Sequence, residues 1–221
     1  RIPNQSDIKL LDCFFLLFIT IVYSLILKEI KEFNNYFGLT MLTILFSYII
    51  FIIYQVKKGQ RVYKSQEEII QYTYIKSIIF SLLGILGVLI GAEILVKGAI
   101  KTISYFNINE TIIGLTIVAI GTSIPEVATT MIAAYRRQGN FILGAILGSN
   151  LFNLLGITGV ASTITKIEIP ETLVDIDIYF LIYSTLVFVL MVIFLKLLNK
   201  GIVSILLISY MLYILNIYLR I

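Results

Sequence analysis

The longest stretch without a charged residue, Gln138–Thr165, runs for 28 residues between Arg137 and Lys166. A helix rising 1.5 Å per residue crosses a hydrocarbon core in about 20 residues, so a run of this length is read as a membrane span. Phe33–Val56 gives 24 such residues, Gly201–Leu219 gives 19 and Ile178–Leu195 gives 18. Shorter runs at Cys13–Leu27, Ser77–Ala92 and Thr111–Pro125 are extended by helix-compatible flanks. The pattern predicts an all-α, polytopic transmembrane helix bundle of about seven spans, at 10–28, 36–56, 76–100, 110–135, 140–164, 174–196 and 201–219. Charged residues are only 14% of the chain, and a soluble domain carries roughly 25%, so this surface cannot be wet all round. An integral, multi-pass membrane protein follows, with the plasma (inner) membrane as its expected location.

The first run does not read as a cleaved signal peptide. A mixed-charge, proline-containing lead, Arg1–Asp12, precedes it and no small-residue cleavage site follows its core. One cysteine, Cys13, excludes an internal disulfide, and the lack of histidine removes imidazole metal sites, Ser-His triads and histidine proton relays. The net charge of +4 is explained by topology without invoking nucleic acid. Lys57, Lys58, Arg61, Lys64 and Lys76 form the densest basic cluster and are placed in the cytoplasm. Alternation then puts Arg136, Arg137, Lys196 and Lys200 inside, and Lys28, Lys31, Lys166 and the acidic Glu168–Asp177 loop outside. The Lys57–Lys76 loop reads as a solvated connector or a contact for anionic lipid, and is too short for a calcium-sensing domain. With no tryptophan, interfacial anchoring falls to tyrosines such as Tyr54, Tyr179 and Tyr213.

Chemistry concentrates in residues 84–163, where eleven of the 14 glycines fall. Gly87/Gly91 and Gly144/Gly148 stand in GxxxG spacing, for which close helix packing is the simplest explanation. Inside this stretch lies Gly121-Thr122-Ser123-Ile124-Pro125-Glu126. Proline removes a backbone donor, and a carboxylate at mid-membrane costs at least about 2.5 to 3.5 kcal/mol, so Glu126 needs a partner or a wet cavity. Thr122 and Ser123 precede Glu126 by four and three residues, which puts both hydroxyls on its helical face. The next span carries Gly148-Ser149-Asn150-Leu151-Phe152-Asn153, with Ser149 and Asn153 four apart. Two such interruptions predict discontinuous helices around an ion site, with carbonyls near Pro125 and Gly148 joining the side chains. Oxygen-only donors suit sodium and calcium and argue against zinc or copper. Glu93 has Lys97 four residues on, and a helical ion pair accounts for it.

These residues resemble a known family. The run Ile113–Glu126 followed by Gly148–Asn153 is similar to an alpha repeat of the cation/calcium exchanger superfamily, and Gly91–Ala99 resembles the entry helix of such a repeat. The resemblance is close over about 80 residues, roughly 84–163. It implies two inverted repeats that alternate access around a midplane cation site. It further implies that Glu126, Thr122, Ser123, Ser149 and Asn153 ligate the metal ion, and that Thr116 and Thr129 lie near the pathway. By position the copy here is the second repeat, so the chain is expected to be N-terminally incomplete, one half and more of an inverted-repeat transporter. Residues 1–75 would be two flanking helices and a cytoplasmic loop, and 76–221 the exchanger membrane domain with two C-terminal helices.

The expected function is secondary active antiport, sodium-driven calcium exchange, with no cofactor beyond the transported calcium and sodium. The partners are those ions, the lipid bilayer and the missing N-terminal alpha repeat, and no nucleic acid. Calcium takes 6 to 8 oxygens and usually several carboxylates, whereas this chain offers one motif glutamate and a neutral Asn153. Calcium/proton exchange, or another monovalent-coupled exchange, is therefore the alternative, and a non-transporting assembly subunit is a third reading. An enzyme is not expected, because no nucleophile–base pair stands out. No phosphate-cradling loop suits an ATP-driven pump, so transport would be gradient-driven.

Overall fold

A computed structural model describes residues 10–59, 73–106, 119–169, 176–194 and 200–220. Eight α-helices are described: α1 (Leu10–Glu29), α2 (Asn35–Lys57), α3 (Tyr74–Phe106), α4 (Ala119–Tyr135), α5 (Gly139–Leu151), α6 (Thr158–Ile164), α7 (Ile176–Ile193) and α8 (Lys200–Arg220). A π-helical turn, Phe152–Ile157, joins α5 to α6, and two short strands, β1 (Glu32–Phe33) and β2 (Ile167–Glu168), pair antiparallel. Among the described residues four helical stretches are long and apolar enough to cross a membrane: Leu10–Glu29, Asn35–Lys57, Gly139–Ile164 and Ile176–Ile193. These coincide with four of the seven expected spans. The other three expected spans are helical over their described residues, and residues 110–118 of the fourth lie outside the description.

The chain divides into two compact units, residues 1–64 with 130–199, and residues 65–129 with 200–221. In the first, α1 packs on α7, and α2 packs on α6 and the π turn. Leu143, Leu147, Leu151 and Leu155 recur every fourth residue, so one stripe of α5 and the π turn stays buried. They meet Cys13, Leu16 and Ile19 of α1, Met41 and Leu45 of α2, and Val189 and Val192 of α7. Large apolar residues on the outer faces, Phe18, Phe46 and Ile50 among them, are exposed, as lipid-facing spans require.

Contact is closest where α2 crosses α6. A Cβ built on Gly38 would stand 2.6 Å from the Gly159 carbonyl oxygen and 2.8 Å from the Thr163 nitrogen. The close packing expected of the two GxxxG pairs is therefore made by other glycines. A Cβ on Gly87, Gly91, Gly144 or Gly148 meets nothing within 4 Å among the described residues.

Chain ends and connections close with local chemistry. The Asn34 side chain caps α2 by accepting from the Phe37 amide at 3.0 Å. Helix α4 stops at Arg137, whose φ of 59° lets the amides of Arg137 and Gln138 donate to the Ala134 and Ala133 carbonyls. The β1–β2 ladder sets Glu32 against Glu168, and Lys166 reaches Glu32 at 3.0 Å. This ties the α1–α2 connection to the segment after α6, so both lie on one side of the membrane, as alternating spans demand. In the second unit, Lys97 pairs with Glu93 at 2.6 Å along α3, the helical ion pair expected from their spacing.

Candidate cation site

Helix α4 carries the first group of candidate ligands. It stays helical through Pro125, which offers no amide hydrogen to the carbonyl of Gly121 one turn back. Thr122, Ser123 and Glu126 are exposed and follow one another at helical spacing, so two hydroxyls and a carboxylate share a face beside that carbonyl. Thr129, also exposed, donates its hydroxyl to the Glu126 backbone carbonyl at 3.0 Å. Thr116 lies outside the described residues.

The second group lies on α5 and the π turn. Ser149 is half-buried and donates to the Ile146 carbonyl at 3.1 Å, which is shared with the Asn150 side-chain amide at 2.8 Å. A hydroxyl that donates its single hydrogen backwards still holds lone pairs for a cation, so this bond is compatible with ligation. Asn153 is exposed and is the second residue of the π turn. Gly148 remains inside regular α5, and no break falls there: the helix runs on from Gly139 to Ile164 and is only widened into a π turn at Phe152–Ile157. Single π turns of this kind recur at functional sites.

Thr122, Ser123 and Glu126 belong to one compact unit, and Ser149 and Asn153 to the other. Among the described residues no three His, Cys, Asp or Glu side chains come together. By residue type the candidates are one carboxylate and neutral oxygens, donors of the hard kind that alkali and alkaline-earth cations take. Two supporting residues escaped the sequence reading. Thr158 donates to the Asn153 carbonyl at 3.3 Å, and the Tyr23 hydroxyl of α1 lies 3.3 Å from the Thr158 hydroxyl. The five-residue step from Asn153 to Thr158 has meaning only in a π turn, and nothing in the local sequence points to Tyr23.

The glycine-rich segment and both ligand groups fall within residues 76–219, which match the sodium/calcium exchanger protein family. The chain belongs to this family. It is 37% identical over 113 residues to a putative antiporter, CaxA, of Alkalimonas amylolytica, a stretch covering 51% of this chain and 35% of that protein. It is 34% identical over 107 residues to the sodium/calcium exchanger MaX1 of Methanosarcina acetivorans, covering 48% of this chain and 31% of MaX1. Among solved structures it resembles the sodium-calcium exchanger NCX_Mj at 28% identity and a TM-score of 0.57, over 82% of this chain and 57% of that one. The match thus spans about a third of these curated relatives' length. Family membership and the four long apolar helices together make this an integral membrane protein of the exchanger family.

Proposed function

We propose that this chain contributes one ligand-bearing half to a sodium-driven calcium exchanger that works by alternating access. Glu126 supplies the negative charge, with Thr122, Ser123, Ser149 and Asn153 as neutral oxygen ligands and Thr116 and Thr129 along the pathway. The observation that carries the reading is the α4 face itself. A carboxylate, two hydroxyls and a carbonyl deprived of its amide partner stand together inside the family-matched segment. One carboxylate under-neutralises a buried divalent cation. The remaining charge comes, in this proposal, from the other, N-terminal repeat. The neutral Asn153 favours one further reading, exchange of calcium against protons carried by Glu126.

The test is radiolabelled calcium uptake into proteoliposomes holding the natural full-length protein, driven by a sodium or a proton gradient. Sodium-driven uptake that Glu126→Gln abolishes is the expected result. Uptake driven only by protons moves the assignment to proton coupling, and uptake unchanged in Glu126→Gln removes Glu126 from the site.

A further inference from the structure

The π turn Phe152–Ile157 is held from two directions. On one side Gly156 is closely covered: a Cβ there would stand 2.9 Å from the Phe152 ring and 3.1 Å from the Leu45 side chain of α2. On the other side a line of hydroxyls reaches the turn from α1. The Thr158 hydroxyl meets the Asn153 carbonyl at 3.3 Å. The Tyr23 hydroxyl lies 3.3 Å from the Thr158 oxygen, and either of the two can donate. Tyr23, Thr158 and the Asn153 carbonyl thus form one line of hydroxyl contacts.

The first two members of this line are themselves fixed. The Tyr23 ring packs against Phe33 at 5.8 Å between centroids, and Phe33 stacks on Phe37 of α2 at 4.1 Å. The Thr158 backbone carbonyl receives the Ser162 hydroxyl at 2.7 Å. Hydrogen bonds in series polarise one another, so the Asn153 carbonyl is better restrained than either contact alone would make it.

We infer that Tyr23 and Thr158 are positioning residues for the cation site: they fix the backbone of Asn153 within the π turn, and so the direction in which its side-chain oxygen meets the ion. The inference rests on the proposed role of Asn153 as a ligand. It connects α1, which carries none of the proposed ligands, to ion affinity. Outer partners of this sort typically change metal affinity by roughly tenfold or more when removed. Tyr23→Phe and Thr158→Val are thus expected to raise the KM for the transported cation about tenfold with little change in maximal rate.

The experiment measures KM and maximal rate in proteoliposomes for the full-length protein, Tyr23→Phe, Thr158→Val, their double variant, Thr158→Ser and Glu126→Gln. Support is a raised KM in both single variants, no further rise in the double variant, and near-normal behaviour in Thr158→Ser. Tyr23→Phe removes one oxygen from a half-buried ring, and keeps the question open to measurement if Thr158→Val does not fold. An unchanged KM in Tyr23→Phe and Thr158→Val, with uptake abolished by Glu126→Gln, overturns this inference and leaves the cation site standing. If Glu126→Gln also leaves uptake unchanged, the site assignment fails and the inference with it. Loss of maximal rate and of thermal stability together, equally in Thr158→Ser, would show a merely structural contact and also overturn it.

Discussion

Ser24 is 1% exposed, and its hydroxyl is a buried oxygen with no hydrogen-bond partner among the described residues. An orphaned buried hydroxyl costs roughly 1 to 3 kcal/mol, so Ser24→Ala should raise the unfolding temperature in detergent or leave it unchanged. Asp12, 2% exposed, is the opposite case, since the Tyr48 hydroxyl donates to its carboxylate at 3.0 Å. Tyr48→Phe removes that donor from a buried acid and should destabilise by about 1 to 3 kcal/mol in the same measurement. At the site, Asn153→Asp adds a second carboxylate to the proposed ligand set. Calcium should then bind more tightly relative to sodium, read as a lower calcium KM at fixed sodium. The charge on Glu126 was visible in the sequence because a carboxylate inside an apolar run stands out. The orphaned Ser24 was not, because its state depends on which helices surround it.

The α2–α6 crossing is the tightest feature of the fold, and it yields a paired prediction. At Gly38 an added methyl would press on backbone atoms of α6, which cannot rotate aside. Gly38→Ala should therefore cost about 1 to 3 kcal/mol, the usual range for overpacking. Gly144→Ala meets open space, and helix propensity favours alanine there by up to about 1 kcal/mol, so this variant should be no less stable. Comparing the two by thermal unfolding separates packing from glycine content. Sequence spacing drew attention to Gly87/Gly91 and Gly144/Gly148 because their period is visible. Gly38 stands alone in its helix, and its partner Gly159 is 121 positions away, so no local pattern marks the pair. The π turn was hidden for a similar reason: Gly148 reads as a helix breaker, yet the widened turn forms where Gly156 lets Phe152 and Leu45 close in.

Alternating spans place Lys57 and Lys58 on one side of the membrane, while the β1–β2 ladder gathers Glu32, Lys166 and Glu168 on the other. Cys13 is fully buried, and a full-length background with it and every other cysteine replaced by serine is silent to labelling. In oriented vesicles Lys58→Cys should react with an impermeant thiol reagent from the cytoplasmic side alone, and Glu168→Cys from the opposite side alone. Reaction of both from the same side would overturn the topology.

Read along the chain alone, hydropathy and helical spacing gave the membrane class, the helical character of the spans, and the sharing of one face by Thr122, Ser123 and Glu126. Each of these follows from hydropathy or from a three- and four-residue helical step, and both act over a single turn or a single span. Tertiary structure alone decided the contact of Gly38 with Gly159, the pairing of Asp12 with Tyr48, and the line from Tyr23 through Thr158 to Asn153. Those contacts join residues far apart in the chain, and whether two such residues meet is set by how whole helices pack, which no local spacing encodes.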